Sequence, residues 1–415
     1  MSPAAHQHHG QEVIGLGDTA APSWLTPETI ASVRAAEEPP FAPAEYASRL
    51  DRVRAAMAAA GLDGLFVFRP SSVDYLCGYH SKETAPQPLF VTHTGTYLHV
   101  PDLELGRALA CSTADTVLYS AYASARHALE TVAAHAAGSV SRGGRIGIEF
   151  AHTSTPPLMV ELLRTQDVEV VDGDHLVEQV RLVLSPAEIA HVEQAAVATQ
   201  RGVAAAARAA AHADATDASV GAAITEALYG RATATSAWGP VVATGRRGGI
   251  PHSTWGVNPI SDGTTFIEFA GAHHRYHAPV MRTLSRGGAT PDAERLADLA
   301  KTALAAVLAH AAPGVPCSEV ADQALKAIGR LPDDVVFHQL FGYPVGLAHP
   351  PHWMDGAPFY ITAGNPEPLR AGMVFHMPGS FRSFGRSGVG LSQTFVVEST
   401  GTRVLTSGAA DLIHV

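Results

Sequence analysis

The sequence is poor in cysteine, in clustered positive charge and in long apolar runs, and each shortage excludes something. Three cysteines, Cys77, Cys111 and Cys317, stand far apart and in odd number. They form neither a disulfide framework nor a thiolate metal motif, and a reducing compartment suits them best. With a formal charge of −11 and no basic run anywhere, the chain lacks the electrostatic footprint of a nucleic-acid or anionic-membrane binder. No stretch approaches the roughly 18 apolar residues of a membrane span. The opening MSPAAHQHHGQEVIG has no basic region followed by an apolar run, so a cytoplasmic location is expected. Charged residues make up only 16% against 46% hydrophobic, which supplies a substantial core and argues against global disorder.

What is present points to two domains, as 415 residues would suggest. Residues 1–42 are polar, rich in Pro and Ala and without periodicity, and read as a flexible tail; the HQHH at 6–9 is read as incidental. Over 43–180, EYASRLDRVRAAMAAAGLDG places Leu50, Val53 and Met57 on one helical face and stops at Gly61. Strand-like runs (LFVF, PLFVT, TVLYS, RIGIEF, VEVV) then alternate with helical pieces, which predicts an α/β domain. Ser185, Pro186 and Glu188 form a capping-box pattern at the head of a new helix, in a second domain assigned to 181–415. There, Ala-rich helices at about 186–212 and 291–311 alternate with strand pairs rich in Val, Thr and Phe, an α+β pattern. Within it, FIEFAGAHHRYHAPVMRT at 266–283 reads as two strands folded back on each other, carrying four histidines, Glu268 and Arg282.

The order RLDRVRAAMAAAGLDGLFVF, VDYLCGY, SPAEIAHVEQAA, IPHS, IEFAG to MRT, FGYPVGL, LRAGMVF and TFVVESTGTRVLT resembles the creatinase and aminopeptidase P family over about 43–412. The resemblance implies a pita-bread α+β domain preceded by a smaller α/β domain of the creatinase type. In the family's metallopeptidases two ions are held by two Asp, one His and two Glu. Carried onto this sequence, those positions fall on Glu268, Pro279, Tyr343, Pro378 (or Met377 if the loop is one residue shorter) and Ser392. One carboxylate of five positions cannot neutralise and bridge two hard cations, so no metal cofactor is expected. His277 shares strand parity with Pro279, and His376 lies two before Pro378, so a mononuclear site from His277, His376 and Glu268 stays geometrically open. The simpler reading lines a polar pocket with these imidazoles.

RYHAPVMRT, GYPVGL followed by PPHW, and VFHM resemble the ectoine hydrolase branch, which with creatinase hydrolyses C–N bonds in small compounds without a catalytic metal. The resemblance makes His252, in IPHS, the proton relay, and Glu268 its charged partner. Tyr343, His277, His376 and Trp353 are expected to bind a small-molecule substrate. Family members are homodimers, and the loop GYHSKETAPQP at 78–88 would bring Lys82 and Gln87 to the partner's site. That loop and TFVVE after Gln393 depart from the ectoine hydrolase pattern. His273, His349 and His352 are read as surface or supporting residues and Arg282 as structural. A non-hydrolytic tailoring enzyme using the same pocket, a metallopeptidase of the Xaa-Pro type and a non-catalytic binding homologue are the alternatives.

Overall fold

The computed structural model describes residues 6–8, 11–37, 39–122, 124–260 and 262–415. The chain divides into two compact units, 1–181 and 182–415. No helix among the described residues is long and apolar enough to cross a membrane.

The first unit is built on an eight-stranded mixed sheet. At its centre the fully buried strands Gly64–Val67 and Leu89–Thr92 pair antiparallel, and Gly64–Val67 pairs parallel with Arg145–Ile148. The helix Pro43–Ala60 ends as expected, on Gly61 in the left-handed conformation (φ 66°). The expectation of a flexible tail over 1–42 is corrected for the described residues of that stretch. Gln11–Gly15 is a strand paired parallel to Thr116–Ser120, and Thr26 caps the helix Pro27–Ala35. The alternation that buries Gln11 and Val13 spans only five residues, too short to stand out in a Pro- and Ala-rich context. Of the HQHH group, His9 lies outside the described residues, and His6–His8 pairs antiparallel to Gln11–Val13.

The second unit repeats one plan twice. A long helix opening with Pro after a hydroxyl cap (Pro186–Ala210 after Ser185, Pro291–His310 after Thr290) is followed in each half by a shorter helix, Asp217–Tyr229 and Cys317–Ile328. The Ser185–Glu188 capping box is closed at both ends, at 3.2 and 2.9 Å. Each helix pair packs on a four-stranded sheet dominated by one long hairpin: Gly263–His273 with Tyr276–Arg286 in one half, Val374–Ser383 with Ser387–Glu398 in the other. The α+β architecture expected of this unit is the one observed.

The two hairpins are joined by hydrogen bonds that position everything functional. Ser392 Oγ accepts from the Met281 amide at 2.6 Å, Thr394 Oγ1 donates to the Pro279 carbonyl at 2.8 Å, and the Gly390 amide donates to Thr283 Oγ1 at 2.9 Å. Behind the first hairpin the helix Pro186–Ala210 comes so close that a Cβ on Gly271 would stand 2.3 Å from the Ala195 carbonyl oxygen. Only glycine fits there.

Candidate active site

Register fixes the face. Glu268 pairs with Met281 and Ala270 with Pro279, so Glu268, Pro279 and Met281 share one side of the first hairpin. On the second, Pro378 pairs with Ser392 and Met377 with Gln393, so of these two Pro378 is the one that shares the Ser392 face. Pro279 is tolerated inside a strand because of its direction. The amides of His277 and Met281 point away from the hairpin partner, to the Gly346 carbonyl at 3.0 Å and to Ser392 at 2.6 Å. N–H directions alternate along a strand, so the missing amide at 279 costs no ladder bond within the hairpin.

This face borders a cavity of about 160 Å³ lined by residues that include His252, Glu268, Tyr343, Pro378, Arg382, His338 and His352. Glu268 is 4% exposed, and its carboxylate has no hydrogen bond or ion pair among the described residues. Burial pushes its carboxyl up to about 7, against the opposing pull of the Arg382 guanidinium. Arg382, itself 5% exposed, lies over the Phe266 ring at 5.1 Å and is anchored by its main chain to Val336. Burial lowers its pKa while the charge of Glu268 raises it.

Tyr343 is the junction of a hydrogen-bond chain. Its hydroxyl receives the Trp353 indole N–H at 2.9 Å and stands 2.6 Å from His376 Nδ1, while His376 Nε2 stands 2.7 Å from Ser392 Oγ. Donor counting selects the tautomer. With the proton on Nδ1, Met281 donates to Ser392, Ser392 to His376 and His376 to Tyr343, leaving the Tyr343 proton for the cavity. With the proton on Nε2, the fully buried Ser392 hydroxyl would have no acceptor, at a cost of about 1–3 kcal/mol. His376 stays neutral in this chain because burial pushes it down to about 3. Burial also raises the Tyr343 hydroxyl well above its usual range, so it remains a donor.

His252 is the exposed member, held with φ at 57° and edge-on to Trp238 at 5.4 Å. Burial of its ring, with the charges of Arg382 and His338, lowers its pKa, so the imidazole is neutral at pH 7. Trp238 also packs against His352 and Trp353 at 4.7 and 5.1 Å. Burial pushes His352 down to about 4.

His252, Glu268 and Tyr343 therefore meet around one space, with His376 and Trp353 acting through Tyr343 from behind it. His277 does not line it. Its Nε2 accepts from the Ala237 amide at 2.9 Å in a fully buried position, where burial pushes it down to about 4. Lys82 and Gln87 belong to the first unit. Lys82 is exposed, and Gln87 accepts from the Tyr79 hydroxyl beside a separate cavity of about 470 Å³. Sequence reasoning missed Arg382 and His338 and gave His352 no role. For Arg382 a signal existed: counting by twos along the strand from Pro378 reaches Ser380 and then Arg382 on the same face.

The model of metallopeptidase family M24 matches residues 190–399, and that of the creatinase/prolidase N-terminal domain matches 49–183. The chain belongs to metallopeptidase family M24. An uncharacterized hydrolase/peptidase, y4tM, of Sinorhizobium fredii is 28% identical over 412 residues, covering 90% of this chain and 98% of that protein. The ectoine hydrolase of Halomonas elongata is 33% identical over 141 residues, 33% of this chain and 34% of the hydrolase. The dipeptidase PepE from Mycobacterium ulcerans superposes with a TM-score of 0.75 at 25% identity, over 90% of this chain and 99% of PepE. These M24 relatives are hydrolases and peptidases, and the pita-bread fold with its creatinase-type N-terminal domain is shared.

The family name raises the question of metal, and the donor set at the five resemblance-assigned positions does not fit a pair of hard cations. Glu268 offers a carboxylate, while Pro279 and Pro378 offer nothing. The hydroxyls of Tyr343 and Ser392 are engaged with His376, Trp353 and the Met281 amide. A guanidinium, Arg382, already supplies positive charge beside Glu268.

Proposed function

We propose that this M24 member is a metal-independent hydrolase of a C–N bond, of amide, cyclic amidine or guanidino type, in a small metabolite. The observation that carries the proposal is Glu268: a buried carboxylate without a hydrogen-bond partner, beside Arg382, on the wall of a small cavity. A buried charge needs a partner, and a substrate nitrogen bearing N–H or positive charge provides one. At about 160 Å³ the cavity lies below the roughly 300 Å³ at which drug-sized pockets begin, which favours a small metabolite over a peptide. Neutral His252 takes a proton from the attacking water as the new C–O bond forms, and returns it to the nitrogen as the C–N bond breaks. Tyr343 directs its hydroxyl proton to the oxygen that gains charge. In the homodimer proposed for this family member, Lys82 and Gln87 of the 78–88 loop complete the neighbouring subunit's substrate shell.

A thermal-shift screen of small amides, cyclic amidines and guanidino acids identifies binders, and turnover is then followed in ¹⁸O-labelled water. Label in the product, activity that survives chelation and a loss of about 10²- to 10⁴-fold in His252→Ala with the fold intact are expected. Product without label would indicate elimination or isomerisation instead. Activity abolished by chelator and restored by a divalent ion would overturn metal independence.

A further inference from the structure

Away from the cavity, at the tip of the first hairpin, three imidazoles converge. His191 on the helix Pro186–Ala210 meets His273 and His274 at the end of the strand Gly263–His273. One potential ligand nitrogen or atom from each lies within 4.8 Å of those of the other two, and all three residues are half-buried. His191 Nδ1 and His273 Nδ1 are 2.9 Å apart, and the three ring centroids are separated by 4.6 to 5.0 Å.

The backbone explains how neighbours in sequence reach the same point. Successive strand residues face opposite sides, but His274 and Arg275 both adopt positive φ, 46° and 65°, in a two-residue hairpin turn. Such turns favour Asn and Gly, because side chains in the left-handed region cost roughly 1–2 kcal/mol each. Here the left-handed step swings the second imidazole round to the first, and the His274 amide is pinned to Thr233 Oγ1 at 2.7 Å. His191 also stacks with the Tyr276 ring, centroids 5.5 Å apart, and the Tyr276 hydroxyl donates to Glu188 at 2.8 Å.

We propose that His191, His273 and His274 bind a single divalent transition-metal cation of the Zn²⁺ class, with water in the fourth position. Three imidazoles without a carboxylate select such an ion over Mg²⁺ or Ca²⁺. A Zn–N distance of about 2.0–2.1 Å places tetrahedral ligand nitrogens about 3.3 Å apart. The His191–His273 pair at 2.9 Å must open slightly and the widest separation, within 4.8 Å, must close, both within the reach of side-chain rotation. Bound there, the ion would tie the hairpin tip to the helix Pro186–Ala210, outside the lining of the cavity.

The test uses the full chain, purified without a His tag, stripped of metal and titrated with Zn²⁺ by calorimetry, with metal content measured after dialysis. One ion per chain and a raised melting temperature are expected. His273→Gln and His274→Gln should each weaken binding at least about tenfold, with the metal-free proteins still melting in a single cooperative transition. The Glu268→Gln protein, altered at the cavity, and a protein with His6, His8 and His9 all changed to Gln should bind as the parent does. Full-affinity binding by the His191→Gln/His273→Gln/His274→Gln protein would overturn the proposal. So would loss of binding in the Glu268→Gln or the N-terminal triple protein, or the absence of any uptake by the parent at about 100 µM zinc.

Discussion

Replacing Glu268 by glutamine isolates the charge on which the proposed chemistry rests. In the unfolded chain a glutamate ionises near its ordinary value of 4.5, whereas burial in the folded protein holds Glu268 protonated up to about 7. The sign follows directly. Between those values the folded state keeps a proton that the unfolded state has lost, so this group makes stability fall as pH rises. At 1.36 kcal/mol per unit, the full difference is about 3 kcal/mol, most of it accruing between about pH 5 and pH 8. Glutamine has the same shape and no titration. The stability of Glu268→Gln relative to the parent should therefore increase by about 2–3 kcal/mol across that range. Guanidinium unfolding of both proteins at matched pH values measures it, and taking the difference cancels every other titrating group. A flat difference, or one that declines with pH, would refute the account of Glu268 as a carboxylate left without a protein partner.

Three further outcomes follow from the same structure. Tyr343→Phe leaves the Trp353 N–H and His376 Nδ1 without their shared partner, so denaturant unfolding should show a loss of about 1–3 kcal/mol. Burial pushes His277 and His352 to about 4 and His376 to about 3, below the unfolded value of 6.5. Their contribution is complete above 6.5 and lost as pH falls toward 4. With His99, likewise pushed to about 4, added, and the protons that Glu149 and Glu268 retain up to about 7 taken off, unfolding near pH 5 should take up about two protons; the pH dependence of the unfolding free energy gives the number, and an uptake below one would contradict it. Gly271→Ala drives a methyl into the Ala195 carbonyl oxygen and should cost about 2 kcal/mol or more by thermal melt.

Much of this was legible in the chain. The capping box at Ser185 and Glu188, the hairpin spanning 266–283 and the strand face shared by Glu268 and Pro279 are local patterns, and local patterns survive into structure. Parity was right about which side of the strand His277 takes, yet it lies beyond the cavity against Ala237, because parity selects a face and not a neighbour. His338 and His352 reach the cavity from irregular segments, where no period carries information. The direction of the Tyr343 chain depends on Met281 lying beside Ser392, a contact across 111 residues of sequence. His273 looked peripheral because its companion His191 lies on a helix 82 residues earlier.

Pro279 has a bearing on whether this face could be made to hold a cation. The strand edge where it sits is now occupied, with its carbonyl bonded to Thr394 and the next outward amide to Ser392. Replacement by aspartate at this one buried position would add an amide hydrogen needing an acceptor and set a second carboxylate near Glu268. Both are penalties that arrive before any cation could repay them, because Tyr343, Pro378 and Ser392 would still withhold their ligands. A cation site therefore could not be installed on this face by one substitution at a time.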